Sequence, residues 1–293
     1  MNLKTYAAID IGSNAGRMLV GHILPSNDHH YVRKLSLTRV PIRLGDDVFE
    51  KGRISDKKIK LLVKAFKAFK HLMDIYKVDE YRACATSAMR EADNSKEVVA
   101  KIKKESGIEL ELISGSKEAD LIFSTLPTQK LDVSLNYLFI DVGGGSTELT
   151  IIKDGVRVKS KSFEIGSVRS LKGKVNDEIF EDIGKWIEGK MEDDEYYGIG
   201  TGGNINNIYK QSGLSYMEPL KMDKFLEIYT SIKEMSEEDR MNKLRMKPDR
   251  VDVIVPASKI YLHIMKMAGI KAIYVPKLGL ADGMIYTMHL DQQ

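Results

Sequence analysis

Two carboxylates, Asp141 and Glu148, bracket Gly143, Gly144, Gly145, Ser146 and Thr147 in the run YLFIDVGGGSTEL, residues 137–149. Glycines lack a Cβ, so their backbone N–H groups can approach a ligand closely. Amide donors suit phosphate oxygens, and paired carboxylates suit a hard cation such as magnesium. The competing reading is a glycine-rich hairpin with a solvated Asp. A second copy weighs against it. The stretch AIDIGSN, residues 8–14, repeats the order of apolar strand, Asp10, aliphatic residue, Gly12, and the polar pair Ser13 and Asn14. Such repetition suggests two related halves, each offering a phosphate-binding hairpin to a shared cleft.

Other residues extend the pattern. Arg90 lies just past a strand end in ATSAMRE, residues 85–91. There a guanidinium pairs bidentately with phosphate oxygens, or is an ordinary surface Arg. Arg17 follows the first turn and has a similar reading. The segment GIGTGGN, residues 198–204 and including Gly202, is a third glycine-rich turn ahead of a helix. It either donates amides to a phosphate or nucleoside or makes a tight strand-to-helix turn. Glu118 opens a helix after ISGSK, where the helix dipole alone favours an acid. The six histidines lack metal-ligand spacing, and His29 and His30 fall in a polar loop that reads as solvated. The single cysteine, Cys84, reads as a buried structural thiol in a reducing compartment.

The elements that must position these residues follow from hydrophobic period and punctuation. The first half reads as strands at 5–10, 17–24 and 31–44. A long helix capped by Ser55 runs to Tyr76, followed by a strand at 81–86, a helix from Asp93–Ser95 to Ser106, a strand at 108–113 and a helix from Ser114 through Leu126. The second half reads as strands at 137–142, 148–153 and 157–165, with Asp154-Gly155 as a turn. A helix capped by Asn176 follows, then a strand at 197–200, a helix at 249–267, a strand at 273–275 and a last helix at 280–289. Three antiparallel strands followed by α/β alternation, done twice, make a mixed-sheet α/β protein. The boundary falls near 125–134, with no low-complexity linker, so the halves are expected to pack closely about a hinge.

The chain of 293 residues is 43% apolar and 30% charged, which fits two globular domains. No apolar run approaches the ~20 residues of a membrane span, and the N-terminus shows no signal peptide. A net charge of +3 is too small to argue for nucleic acid. Lys57, Lys60, Lys64 and Lys67 form one helical stripe opposite the apolar Ile59, Leu62, Val63, Phe66 and Met73. The stripe is a solvated face or a track for a long polyanion.

Taken in order, AIDIGSN with Arg17, ATSAMR, ISGSKEA (113–119), FIDVGGGSTEL (139–149) and GTGG (200–203) resemble the exopolyphosphatase/guanosine-pentaphosphate phosphohydrolase, or Ppx/GppA phosphatase, family. The resemblance covers nearly the whole chain. It implies two ribonuclease-H-like α/β domains of the actin, hexokinase and heat-shock-chaperone ATPase superfold with an interdomain cleft. The expected domains are residues 1–126, joined by a C-terminal helix at 279–293, and residues 127–278. Glu118 is implied as the catalytic carboxylate acting on water, and Asp141 and Glu148 as magnesium ligands. Asp10, Gly12, Ser13, Asn14, Arg17, Arg90, Gly143, Gly144, Gly145, Ser146, Thr147 and Gly202 are implied to bind phosphate. The expected activity is exopolyphosphatase, with polyphosphate or guanosine pentaphosphate as substrate, in a cytoplasmic homodimer that engages neither nucleic acid nor membrane. A guanosine pentaphosphate phosphohydrolase, a non-catalytic alarmone or polyphosphate sensor and a small-molecule kinase are the alternatives. The sequence departs from the family pattern at Lys117, Asp120 and Ala15, and lacks the extra C-terminal helical domain of longer members, which resembles the short exopolyphosphatases. Apolar faces of helices between Asp223 and Met267 are the expected dimer contact.

Overall fold

The computed structural model describes residues 3–26, 29–129, 131–175, 178–191 and 195–292. The chain divides into two units, Met1–Leu131 with Leu278–Gln293, and Asp132–Lys277.

In unit 1, β1 (Thr5–Ile11) is buried along its whole length. It pairs antiparallel with β2 (Gly16–Ser26), which pairs antiparallel with β3 (His29–Val40). On its other side β1 pairs parallel with β4 (Glu80–Ala85), followed by the two-residue β5 (Glu111–Leu112). The sheet order is therefore β3-β2-β1-β4-β5. Among the described residues α1 (Leu44–Lys51), α2 (Asp56–Ile75), α3 (Ser87–Glu91) and α4 (Ser95–Ser106) lie between these strands, and α5 (Gly115–Phe123) follows β5. The Ser55 side chain caps α2 by accepting from Lys58 N. Ile59, Leu62, Val63, Phe66 and Met73 are buried, as their spacing predicts. The last helix of the chain, α12 (Leu280–Leu290), returns to pack on β1, β2 and α5.

Unit 2 repeats the plan. β6 (Asn136–Val142), β7 (Thr147–Lys153) and β8 (Val156–Phe163) form an antiparallel meander. Asp154 and Gly155 both have positive φ, 49° and 72°, the twist a two-residue hairpin requires. The other elements are α6 (Ser167–Leu171), α7 (Glu178–Glu188), β9 (Tyr196–Thr201), α8 (Gly203–Ser212), β10 (Leu220–Lys221), α9 (Met222–Glu234), α10 (Glu237–Asn242), α11 (Ile254–Met267) and β11 (Ala272–Tyr274). The sheet order is β10-β11-β9-β6-β7-β8, with β9 parallel to both β6 and β11. Leu138, Ile140, Leu149 and Ile151 meet Ile183, Ile208, Phe225, Ile260 and Ile264 in one core.

Several expectations change. The third strand stops at Val40 rather than Leu44: Pro41 cannot donate to the ladder, and Arg43, at φ 56°, starts α1. The strand at 108–113 shrinks to β5, although Ile108, Leu110 and Ile113 are buried; pairing with β4 is confined to its end, where Ile113 N–H donates to Ala85 O at 3.1 Å. The helix after Ser114 ends at Phe123, and a 3-10 turn covers Leu126–Thr128. The helix expected from Asp249 begins at Ile254. His30 lies in β3, not a solvated loop, with its ring 5.1 Å from that of His289. The apolar faces of α9 and α11, expected at a dimer contact, close the core of unit 2 instead. Cys84 is a buried free thiol whose pKa burial pushes up to about 12. Asn176 lies outside the described residues.

Where α12 crosses α5, a Cβ on Gly283 would stand 1.9 Å from the Leu121 carbonyl oxygen. Backbone cannot yield there, so Gly283→Ala should destabilise unit 1 by about 2–3 kcal/mol, read as a lower denaturation midpoint in urea.

Candidate functional site

In unit 2 the β6–β7 hairpin sets Asp141 opposite Glu148, and Gly143 N–H donates to the Ser146 carbonyl at 2.9 Å to close the turn. The carbonyls of the loop are captured by the start of α6. Ser167 N–H donates to Gly143 O (3.0 Å), and Val168 and Arg169 N–H to Gly144 O (2.8 and 3.0 Å). Arg169 Nε donates to Gly145 O at 2.7 Å. The first N–H groups of a helix have no partner inside it, so a loop rich in carbonyls is a natural acceptor. The described peptide bonds are trans, so each anchored carbonyl turns the next residue's N–H the opposite way. Gly144, Gly145 and Ser146 therefore aim three successive amides away from α6. The fit is close: a Cβ on Gly166 would stand 2.5 Å from Gly144 C and Gly145 N.

The carboxylates beside this loop are held in place. Asp141 is 8% and Glu148 1% exposed, and each brings an oxygen within 4.8 Å of the other's. Ser162 Oγ donates to Glu148 Oε1 at 2.8 Å. The Tyr261 hydroxyl, on α11, accepts from Val142 N at 3.2 Å and donates to Thr201 O, which joins the C-terminal ends of β6 and β9. Burial, with Asp141 and Glu148 nearby, holds that phenol well above its usual pKa, so it stays protonated. Gly202, at φ 104°, opens α8; a Cβ there would meet Asp141 Oδ1 at 3.2 Å. Gly202 thus lets the third glycine turn approach the carboxylate. The Arg250 guanidinium lies against Gly203 at the same helix start, within 2.3 Å of where a Cβ would be. Thr147 is fully buried, donates Oγ1 to Ile165 O at 2.6 Å and fastens the hairpin.

Unit 1 builds the same device. Gly12 N–H donates to Ala15 O at 3.1 Å. The Ser13 and Asn14 carbonyls accept from Gly45 and Arg43 N–H, both at 2.8 Å, at the start of α1. The amides of Asn14 and Ala15 are turned the other way by the same geometry. Asp10 stands opposite Arg17 in the ladder, with Arg17 Nη1 3.8 Å from its carboxylate. Burial raises the Asp10 pKa, and Arg17 opposes the shift. Arg90, on α3, donates Nη1 to Ile113 O at 2.6 Å, next to the Ser114 cap of α5. Glu118 falls in the first turn of α5, where the helix dipole favours an anion. Its Oε2 is shielded from solvent.

Arg169, Ser162, Tyr261 and Arg250 were not singled out by sequence. Their roles depend on α6, β8, α11 and the segment before α11 reaching the hairpin, which leaves no local signature.

A strand–hairpin–parallel-strand plan, built twice, defines a protein of the actin-like ATPase superfold. The sequence model of the Ppx/GppA phosphatase family matches residues 23–292, and the chain belongs to that family. A putative exopolyphosphatase from Haemophilus influenzae is 24% identical across 100% of this chain and 94% of its own length. A bifunctional 3-dehydroquinate synthase/phosphatase from Fusobacterium nucleatum is 33% identical over 56% of the chain, but only 25% of its own length is matched. Exopolyphosphatase 2 of Mycobacterium tuberculosis is 32% identical over 58% of the chain and 54% of its own length. Among solved structures, an exopolyphosphatase from Cytophaga hutchinsonii superposes with TM-score 0.84 at 23% identity, covering 99% of this chain and 98% of its own. The Aquifex aeolicus family member gives TM-score 0.80 at 23% identity, covering 99% of both chains. At these identities the likeness to solved structures speaks for the fold alone. No helix among the described residues is long and apolar enough to cross a membrane.

Two outcomes follow. Gly166→Ala should lift α6 from the loop, lowering the melting temperature and weakening inorganic phosphate binding by roughly ten-fold in calorimetry. Asp10 has a raised folded pKa, so the folded state binds its proton more tightly than the unfolded state. Stability from this group is therefore lost as pH rises from the unfolded toward the folded value, and the ionised form is penalised at neutral pH. Asp10→Asn should raise the melting temperature at pH 7 and narrow that gain below pH 4, checked by calorimetric scans across pH.

Proposed function

We propose that the protein is an exopolyphosphatase, hydrolysing the terminal phosphoanhydride bond of inorganic polyphosphate with release of orthophosphate. One observation carries the reading: three successive amides of the unit 2 loop aim away from its anchored carbonyls, beside two buried carboxylates. Such a set of donors fits a phosphate group.

Asp141 and Glu148 offer only carboxylate oxygens, close together and buried, the donor chemistry a hard cation takes. They would hold magnesium, which when bound draws charge from phosphate oxygens. The loop amides of Gly144, Gly145 and Ser146 orient the terminal phosphoryl group. The unit 1 loop of Gly12, Ser13 and Asn14, with Arg17 and Arg90, supplies further donors to the chain. Glu118 orients the attacking water and accepts its proton. Phosphoryl transfer asks mainly for such positioning and charge neutralisation. The choice of polyphosphate over guanosine pentaphosphate is supported by relatives that bear the name exopolyphosphatase. The protein works in this reading as a cytoplasmic homodimer, which sedimentation checks.

A phosphate-release assay with polyphosphate, guanosine pentaphosphate, and ATP plus an acceptor tests the assignment. Release from polyphosphate, abolished by EDTA and restored by magnesium, is expected. ADP formation with the acceptor would identify a kinase, and binding without release a sensor. Glu118→Gln should cut polyphosphate turnover by at least ~100-fold while leaving the melting temperature within a degree or two. A near-wild-type rate would reject Glu118 as the base.

A further inference from the structure

The solvent face of α2 is rich in lysine. Residues 57–73 hold Lys57, Lys58, Lys60, Lys64, Lys67 and Lys70 with no acidic residue among them. Three of these lysines are neutralised: Lys58 by Asp47 at 3.0 Å, Lys67 by Glu105 at 2.7 Å and Lys70 by Asp74 at 3.1 Å. Lys57, Lys60 and Lys64 are exposed and make no ion pair among the described residues. They lie at i, i+3 and i+7, one line on the helix surface, where like charges repel. Neighbouring α4 packs against α2 and adds Lys101 and Lys104, both close enough to lower the Glu105 pKa behind Lys67 itself. From Lys57 to Lys67 the line runs about 15 Å at the rise of an α-helix. Asp56 and Asp74 stand at the two ends of α2, and between them the charged residues of this face are all lysines.

We propose that Lys57, Lys60 and Lys64 form a docking track for inorganic polyphosphate, binding phosphates of the chain away from the bond being hydrolysed. The proposal rests on the exopolyphosphatase reading for its choice of polyanion. The chemistry on this face agrees. Lysine ammoniums are point charges that accept a repeating anion in any register. Nucleic acid asks for more: aromatic side chains on which bases stack, and the two phenyl rings of this helix, Phe66 and Phe69, are fully buried. Each lysine that meets a phosphate releases a counterion, so the track contributes affinity that falls with salt.

The test compares the full-length protein with the triple variant Lys57→Gln/Lys60→Gln/Lys64→Gln. Gln keeps helix propensity near that of Lys, and circular dichroism checks the fold. A control removes the same charge from unit 2, with Lys185→Gln/Lys224→Gln/Lys243→Gln. Binding of end-labelled long-chain polyphosphate is measured in EDTA, where it is separated from hydrolysis. The track variant should bind at least about ten-fold more weakly, and the slope of log affinity against log salt should flatten by about two. The control should match wild type, and turnover of tripolyphosphate should be unchanged in both. Equal losses in the two triple variants, or no loss in either, would overturn the track. So would an RNA oligomer of equal charge bound as tightly as polyphosphate, which would make this a nucleic-acid face. If wild type releases no phosphate yet binds polyphosphate through these lysines, the catalytic reading fails and the track stands. If it hydrolyses polyphosphate with the track variant unaltered, the reverse holds.

Discussion

The polarity of the peptide group is the constraint on which the site depends. A trans peptide points its oxygen and its N–H in opposite directions, so fixing one aims the other. In unit 2 the start of α6 fixes the oxygens of Gly143 and Gly144, and Arg169 fixes that of Gly145. The loop needs no side chain of its own to become an array of donors. The same contacts satisfy the N–H groups that α6 would otherwise leave unmatched. Helix start and hairpin thus solve each other's hydrogen-bonding problem, and unit 1 uses α1 against Ser13 and Asn14 in the same manner.

This arrangement explains which parts of the chain could be read from sequence. The hairpins were legible because an apolar run broken by Asp and Gly is a local signal, as is Asp154-Gly155. The long helix α2 was legible because its cap and its apolar stripe repeat over many turns. By contrast α1 and α6 were missed. They are 8 and 5 residues long, too short for periodicity to speak, and what holds them is contact with a loop distant in sequence. β5 is shorter than its sequence suggests because alternating burial mimics a strand even where few ladder bonds form. Arg169, Arg250 and Tyr261 carry no motif; a buried cation on a carbonyl, or a phenol bridging two strand ends, is visible only once the fold has brought it there.

Carboxylate burial sets the electrostatic character of the site. Asp10, Asp141 and Glu148 are all nearly sealed from solvent, an arrangement a protein tolerates only with partners or a bound ion. Arg17 addresses Asp10, and Ser162 addresses one oxygen of Glu148. These acids are poor choices for stability alone, and their placement at the two matching hairpins argues that they serve a ligand. The glycines follow the same logic. Gly166 and Gly202 are required by close approach, to the loop backbone in one case and to Asp141 in the other.

The return of α12 to unit 1 has a consequence for biogenesis. Unit 2 is one continuous stretch, Asp132–Lys277, whereas unit 1 is assembled from two stretches separated by all of it. During vectorial synthesis the later-made body can close its core first, while the sheet of the earlier one waits, uncovered on the surface that α12 will occupy. The ribosome therefore exposes a half-finished β-sheet for the time needed to translate 146 residues. That interval, rather than the finished structure, is when this chain is most vulnerable to chaperone capture or aggregation.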